Sequence, residues 1–198
     1  TVSDASLKVE VAKEVKSVAK FDGATESKFV GGDSGEARLL VFNNWGKFDP
    51  NTMEGQTLRD ISISFKAAGV ADVLAKTGAK SIKAFIGVNS NDWSVNTLGN
   101  TVPSAGVVEI EKDGTYTVSY TAAGEITLGN QLGVMFADID SALEKDDDKN
   151  VTAGLTISDV TMKTTELKFA DDTEGPEVTP TPEPTDAPKA YDEALWAT

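Results

Sequence analysis

The sequence predicts an all-β fold, a β-sandwich of the jelly-roll kind with about eight antiparallel strands. Three observations carry that expectation. Apolar residues recur with a period of two through most of residues 1–170, turn residues punctuate these runs, and segments with helical spacing are few and short.

Leu7, Val9 and Val11 alternate with Lys8, Glu10 and Ala12 and give a first strand. Val15 and Val18 leave a helical continuation open, but the β-rich composition favours strand. Arg38–Phe42 is apolar after its first residue and leads into Asn43-Asn44-Trp45. Ile61, Ile63 and Phe65 alternate with Ser62, Ser64 and Lys66. A short helix is expected over 71–77, because Val70, Val73 and Leu74 precede Gly78 at helical spacing. Ser81–Val88 is the next strand. Val108–Ile110 and Tyr116–Tyr120 flank Asp113-Gly114 and read as a hairpin, since Asp-Gly supplies the positive φ angles of a tight turn. Leu132–Phe136 and Leu155–Met162 complete the set, and Ser141–Asp148 reads as one polar helical turn or a loop.

The domain is expected to occupy residues 1–170, followed by a linker over 171–189. Five prolines (Pro176, Pro180, Pro182, Pro184 and Pro188) alternate there with Thr and acids, a composition that is extended and semi-rigid. Large apolar residues return at Tyr191, Leu195 and Trp196, so 190–198 opens a following module or is a vector-derived tail. The chain begins at Thr1 without a Met or an apolar leader, as expected of a mature or trimmed fragment. The whole pattern is that of a module cut from a larger extracellular protein.

Hydrophobic content of 39% suffices for a core, and 25% charged residues is ordinary. Half of the net charge of −14 sits in residues 170–198, where eight acids face only Lys189. The body is therefore moderately acidic and would be repelled by nucleic acid and by anionic lipid. Cys and His are absent, which excludes disulfides, thiolate or imidazole metal sites, Cys nucleophiles and Ser-His-Asp triads. No run of 18 apolar residues occurs, so membrane insertion is not expected.

The chemistry worth weighing centres on two tryptophans. Trp45 lies in Val41-Phe-Asn-Asn-Trp-Gly-Lys-Phe48 and Trp93 in Asn89-Ser-Asn-Asp-Trp-Ser-Val-Asn96. Each follows an apolar strand and sits among amides and hydroxyls. Flat rings stack on the apolar face of a pyranose while neighbouring polar groups bond its hydroxyls. The candidate glycan-binding set is thus Trp45, Trp93, Asn44, Lys47, Asn89, Asn91 and Asn96. The alternative is that the rings plug the end of the sandwich and the asparagines serve turns.

Other motifs carry less. The acidic run Asp138–Asn150 invites a structural calcium. It lacks the EF-hand spacing, and Lys145 and Lys149 interrupt it, so a solvated loop is favoured. A glycosidase pair needs acids in apolar strands. Glu10 is the nearest match and no second acid of that kind accompanies it, while Glu109 and Glu111 sit at outward positions. No catalytic residue, metal or cofactor is expected. Gly31-Gly-Asp-Ser-Gly35 has no following Lys-Ser/Thr and reads as a flexible connection rather than a phosphate loop.

With Ile61-Ser-Ile-Ser-Phe65, Val108–Ser119, Leu132-Gly-Val-Met-Phe136, Leu155–Met162 and the Pro-Thr-Glu linker, the chain resembles the carbohydrate-binding modules of polysaccharide-degrading enzymes from anaerobic gut and rumen Clostridia. The resemblance covers roughly residues 37–169. It implies a jelly-roll sandwich that binds glucan through exposed aromatics without chemistry, as an extracellular monomer tethering its parent protein to a polysaccharide. Of the residues here, only Trp45, Trp93 and their polar neighbours match that role. A structural or adhesion domain, or a scaffold module with a protein partner, is the competing expectation.

Overall fold

The computed structural model describes residues 15–169, and the side chains of residues 21–165. The expected strand at Leu7–Val11, the Glu10 carboxylate, the linker at 171–189 and the segment 190–198 lie outside the described residues.

Among the described residues, ten strands and one α-helix follow in order: β1 (Val15–Ala24), β2 (Lys28–Gly31), β3 (Ala37–Asn43), β4 (Thr57–Ala68), α1 (Val70–Thr77), β5 (Ile82–Ser90), β6 (Val108–Ile110), β7 (Gly114–Phe136), β8 (Glu144–Lys145), β9 (Val151–Ala153) and β10 (Thr156–Phe169). Every ladder is antiparallel. One sheet runs β1-β10-β4-β7 and the other β2-β3-β7-β5-β6, so β7 belongs to both. Its first half pairs with β4 and its second half lies between β3 and β5. Residues 122–125 of β7 stand opposite the single residue Arg59, and Gly124 falls within that excess. A bulge of this size bends the strand and lets it cross between layers.

The two sheets close over one apolar core. Ile61, Ile63 and Phe65 of β4 face Leu132, Val134 and Phe136 of β7, all buried. Phe136 is its centre, edge-to-face with Phe65 and Phe29 at 5.4 and 5.5 Å between centroids. This is the β-sandwich, jelly-roll-like architecture that the alternation predicts. A smaller cluster of Phe85, Met135 and Ala137 lies on the other side of the second sheet, under Leu98, Val102 and Val107 of the long β5–β6 connection.

Helix α1 forms where expected and buries Val70 and Val73. Gly69 precedes it at φ 86°, and a Cβ there would meet the Gly154 carbonyl oxygen at 2.3 Å, so only glycine fits. Gly69 has no side chain to cap the helix. The Asp113 carboxylate does so instead, accepting the Val70 N–H at 2.9 Å.

That contact corrects one expectation. Val108–Ile110 and Tyr116–Tyr120 are not a hairpin: β6 pairs with β5, while the start of β7 pairs with β4 in the opposite sheet. Neither Asp113 nor Gly114 has a positive φ. The segment between them carries the chain across the sandwich, and Asp113 is spent on the helix. Tyr116–Tyr120 and Leu132–Phe136, expected as two strands, are parts of one. Gly31–Gly35 is no loose connection either. It turns β2 into β3, with Gly32 N–H donating to the Glu36 carbonyl and Ser34 N–H to the Glu36 carboxylate. Ser141–Asp148 resolves into a 3-10 turn at Asp140–Ala142 followed by the small β8–β9 ladder.

Candidate functional site

Trp45 is presented by a four-residue hairpin that closes β3. Asn43 and Phe48 exchange both backbone hydrogen bonds, at 2.7 and 2.8 Å, leaving Asn44-Trp45-Gly46-Lys47 as the loop. Lys47 takes φ 49°, the left-handed residue that returns such a loop to its strand. Asn44 anchors the hairpin laterally, its N–H donating to the Asn130 carbonyl at 2.7 Å.

Trp93 is presented by a second tight turn at the end of β5. Ser90 and Val95 are paired, the Trp93 N–H donates to the Ser90 carbonyl at 3.1 Å, and Trp93 itself takes φ 61°. A bulky residue in the left-handed region is strained by roughly 1–2 kcal/mol. The turn is held by Asp92. Its carboxylate accepts from the Ser90 hydroxyl at 2.6 Å and from the Ser94 N–H and hydroxyl at 3.1 and 2.8 Å. These bonds, that from Ser90 foremost, lower the Asp92 pKa to about 2 although the group is fully exposed.

Both hairpins dock on one stretch of β7. Asn91 N–H donates to the Thr127 carbonyl and Asn44 N–H to the Asn130 carbonyl. The outcome is a pair: the Trp45 and Trp93 rings stack with centroids 6.2 Å apart and planes 24° from parallel. They are the large hydrophobic side chains left exposed among the described residues, at 58% and 49%. Neither ring is core. A sugar stacked between two rings needs about 7–8 Å, one carbon contact of 3.5–4 Å on each side. At 6.2 Å the gap is too narrow, and what the pair offers is its outer surface.

The remaining sequence-selected residues divide. Lys47, Asn91 and Asn96 are exposed and Asn44 half-buried, all within the two tryptophan turns. Asn96 accepts the Leu98 N–H at 3.1 Å and shapes the departing loop. Asn89 differs. It is fully buried, its side-chain oxygen accepts the N–H groups of Asn130 and Gln131, and its amide donates to the Ser90 carbonyl. Asn89 therefore frames the site from beneath and offers nothing to a ligand.

Sequence reasoning missed a group of residues on β2, β3 and β7 that lies below the Trp45 hairpin. Phe48, three positions after Trp45, carries Lys28 Nζ over its ring at 4.8 Å. Arg38 and Gln131 come from neighbouring strands and share a polar network with Asn43. An Arg opening an apolar strand was the available signal for Arg38. Gln131 had none, because its neighbours are set by strand pairing.

The acidic run does not converge. Asp138 bonds Asn100, Asp140 pairs with Lys145, and Asp146 accepts from Asn150 and Asp148. Among the described residues, no three acidic groups are gathered as a cation site.

No protein-family model matches the chain, and no curated protein does. Among solved structures, the coat protein of tobacco streak virus aligns with 89% of this chain and 100% of its own, at 9% identity and a TM-score of 0.38. A likeness at that level carries no argument about fold or function.

Proposed function

We propose that this domain is a non-catalytic glycan-binding module, and that it holds a larger extracellular protein on a neutral glucan. The observation that carries the reading is the stacked, exposed Trp45–Trp93 pair. Exposing two indoles forgoes the burial that normally stabilises such rings, and Trp93 accepts a strained backbone to be there. Expenditure of this kind is expected where a ring has a ligand. The competing view, a structural domain whose tryptophans plug the core, requires buried rings.

The stacked pair leaves an outer indole surface on each ring, and Asn44, Lys47, Asn91 and Asn96 lie in or next to the same two turns. Two stacking contacts and a few hydrogen bonds, each net about 1 kcal/mol, give affinities from micromolar to millimolar. Weak binding of that order serves a module that acts beside others in one chain, where effective concentration supplies the rest. The domain works as a monomer, needs no cofactor, and the Pro/Thr/acidic run over 171–189 is its tether.

Affinity electrophoresis against xyloglucan, a soluble β-1,4-glucan and soluble starch tests this. Wild type is retarded by at least one polymer, and Trp45→Ala and Trp93→Ala each abolish the retardation. Free migration of wild type through every gel removes the glycan reading and leaves a protein partner for the aromatic face.

A further inference from the structure

The outer face of the second sheet carries a groove of about 500 Å3 that starts at the Trp45 hairpin and runs down β3. Gly46 and Phe48 border one end, and Asp33 and Lys149 the other. Asn43 and Arg38, on either side of the β3 bulge at Val41, both line it and are joined through the Gln131 amide. The volume falls in the range of about 300–1,000 Å3 of small-ligand sites.

Its floor is a connected polar chain. Glu36, fully buried, accepts from Arg38 Nε and Nη2; Arg38 Nη1 donates to the Gln131 side-chain oxygen at 3.4 Å; Gln131 Nε2 donates to the Asn43 side-chain oxygen at 3.2 Å. Arg38 has five N–H groups and spends three here. Gln131 and Asn43 each retain amide donors beyond these bonds. The floor is thus fixed in place and still has donors to give, the preorganised state that makes recognition of hydroxyls efficient. Its strongest charges are already matched: Arg38 with Glu36, and Lys149 with Asp33, whose pKa the Lys149 hydrogen bond lowers. Lys28 and Asp148, the other charged residues lining it, are opposite in sign, so the groove is balanced in charge and suits a neutral polyhydroxy chain.

We infer that the sugar chain stacked on Trp45 and Trp93 continues into this groove, where Arg38, Gln131 and Lys28 bond the hydroxyls of further units. The inference rests on the glycan-binding reading and extends it from a two-ring patch to an elongated site. Chain-length dependence of affinity follows, because a trisaccharide is satisfied by the tryptophans while a longer chain also gains the groove.

Calorimetric titration of maltotriose against maltoheptaose, and of cellotriose against cellohexaose, supplies the test. In the series that binds, the longer sugar binds wild type at least fivefold more tightly, as one or more added hydrogen bonds require. Lys28→Ala and Gln131→Ala remove that gain and leave trisaccharide affinity unchanged. Thermal unfolding monitors the Gln131 variant, and the exposed Lys28 carries the test should that variant not fold. An undiminished gain in the folded variants, or equal affinities in wild type, overturns the groove. If neither series binds and the polymers also fail to retard wild type, the glycan reading itself falls. Binding that survives both tryptophan substitutions but not Gln131→Ala confines the site to the groove and overturns the continuous chain.

Discussion

The side-chain oxygen of Asn89 accepts the backbone N–H of Asn130 at 3.0 Å, and through this bond the tryptophan site is built from three strands. Asn130 returns the favour to the other hairpin by accepting the Asn44 N–H, and the same Asn89 oxygen takes the Gln131 N–H at 2.9 Å. Asn89→Ala strands two backbone donors at a buried position. We expect a loss of about 2 kcal/mol in unfolding free energy, with a weaker exciton couplet from the indole pair in circular dichroism. Denaturant titration of the variant would measure the first. An unchanged midpoint would mean that water replaces the amide at no cost.

Trp93 sits at φ 61°, where any residue with a Cβ is strained and glycine is not. Trp93→Ala and Trp93→Gly both remove the ring, so both should lose glucan retardation. They should differ in stability, with the glycine variant more stable by about 1 kcal/mol. Comparing the two variants with each other isolates the backbone term from the lost stack with Trp45. Equal stability would show that the turn relaxes out of the left-handed region once the ring is gone.

Asp113 is held to a helix it does not belong to. Its carboxylate receives the first free N–H of α1, after a Gly69 that offers no side-chain oxygen. Asp113→Ala should destabilise the domain by about 1 kcal/mol, and Asp113→Asn by less, because the amide oxygen still accepts. Thermal unfolding of both variants checks this, and the order of the two is the informative result.

What sequence could and could not reveal follows from the range of each interaction. Alternation locates β4 and most of β10 because side-chain direction is a local property of a strand, while β3 and β5 show as short apolar runs. Asp113-Gly114 misleads because it carries a turn signature, yet the pairing of β6 with β5 and of β7 with β4 overrides it. The unity of β7 is hidden by the interruption at 122–125, where polar and small residues look like a loop but form a bulge. The tryptophans were legible as candidates from their polar company. Their stacking was not, since it depends on two hairpins docking on residues 127–130 of a third strand. Asn89 and Asn91 look alike in sequence, and only the fold separates the buried clamp from the exposed amide.

The Trp93 turn should also carry a pH signature. Hydrogen bonds from Ser90 and Ser94 lower the Asp92 pKa from 3.8 to about 2, so the folded turn prefers the carboxylate. A depressed carboxyl pKa contributes order that is fully present above the unfolded value and disappears as pH falls through the folded one. The turn is therefore expected to be unaffected from neutral pH down to about 4 and to loosen between 3.8 and about 2. The indole couplet in circular dichroism follows the turn, while far-ultraviolet dichroism reports separately on the sheets. Asp92→Asn does not titrate, so its couplet should be weaker at neutral pH and flat across that interval. A couplet that fades in the same interval in both proteins would place the titrating group elsewhere and detach Asp92 from the positioning of Trp93.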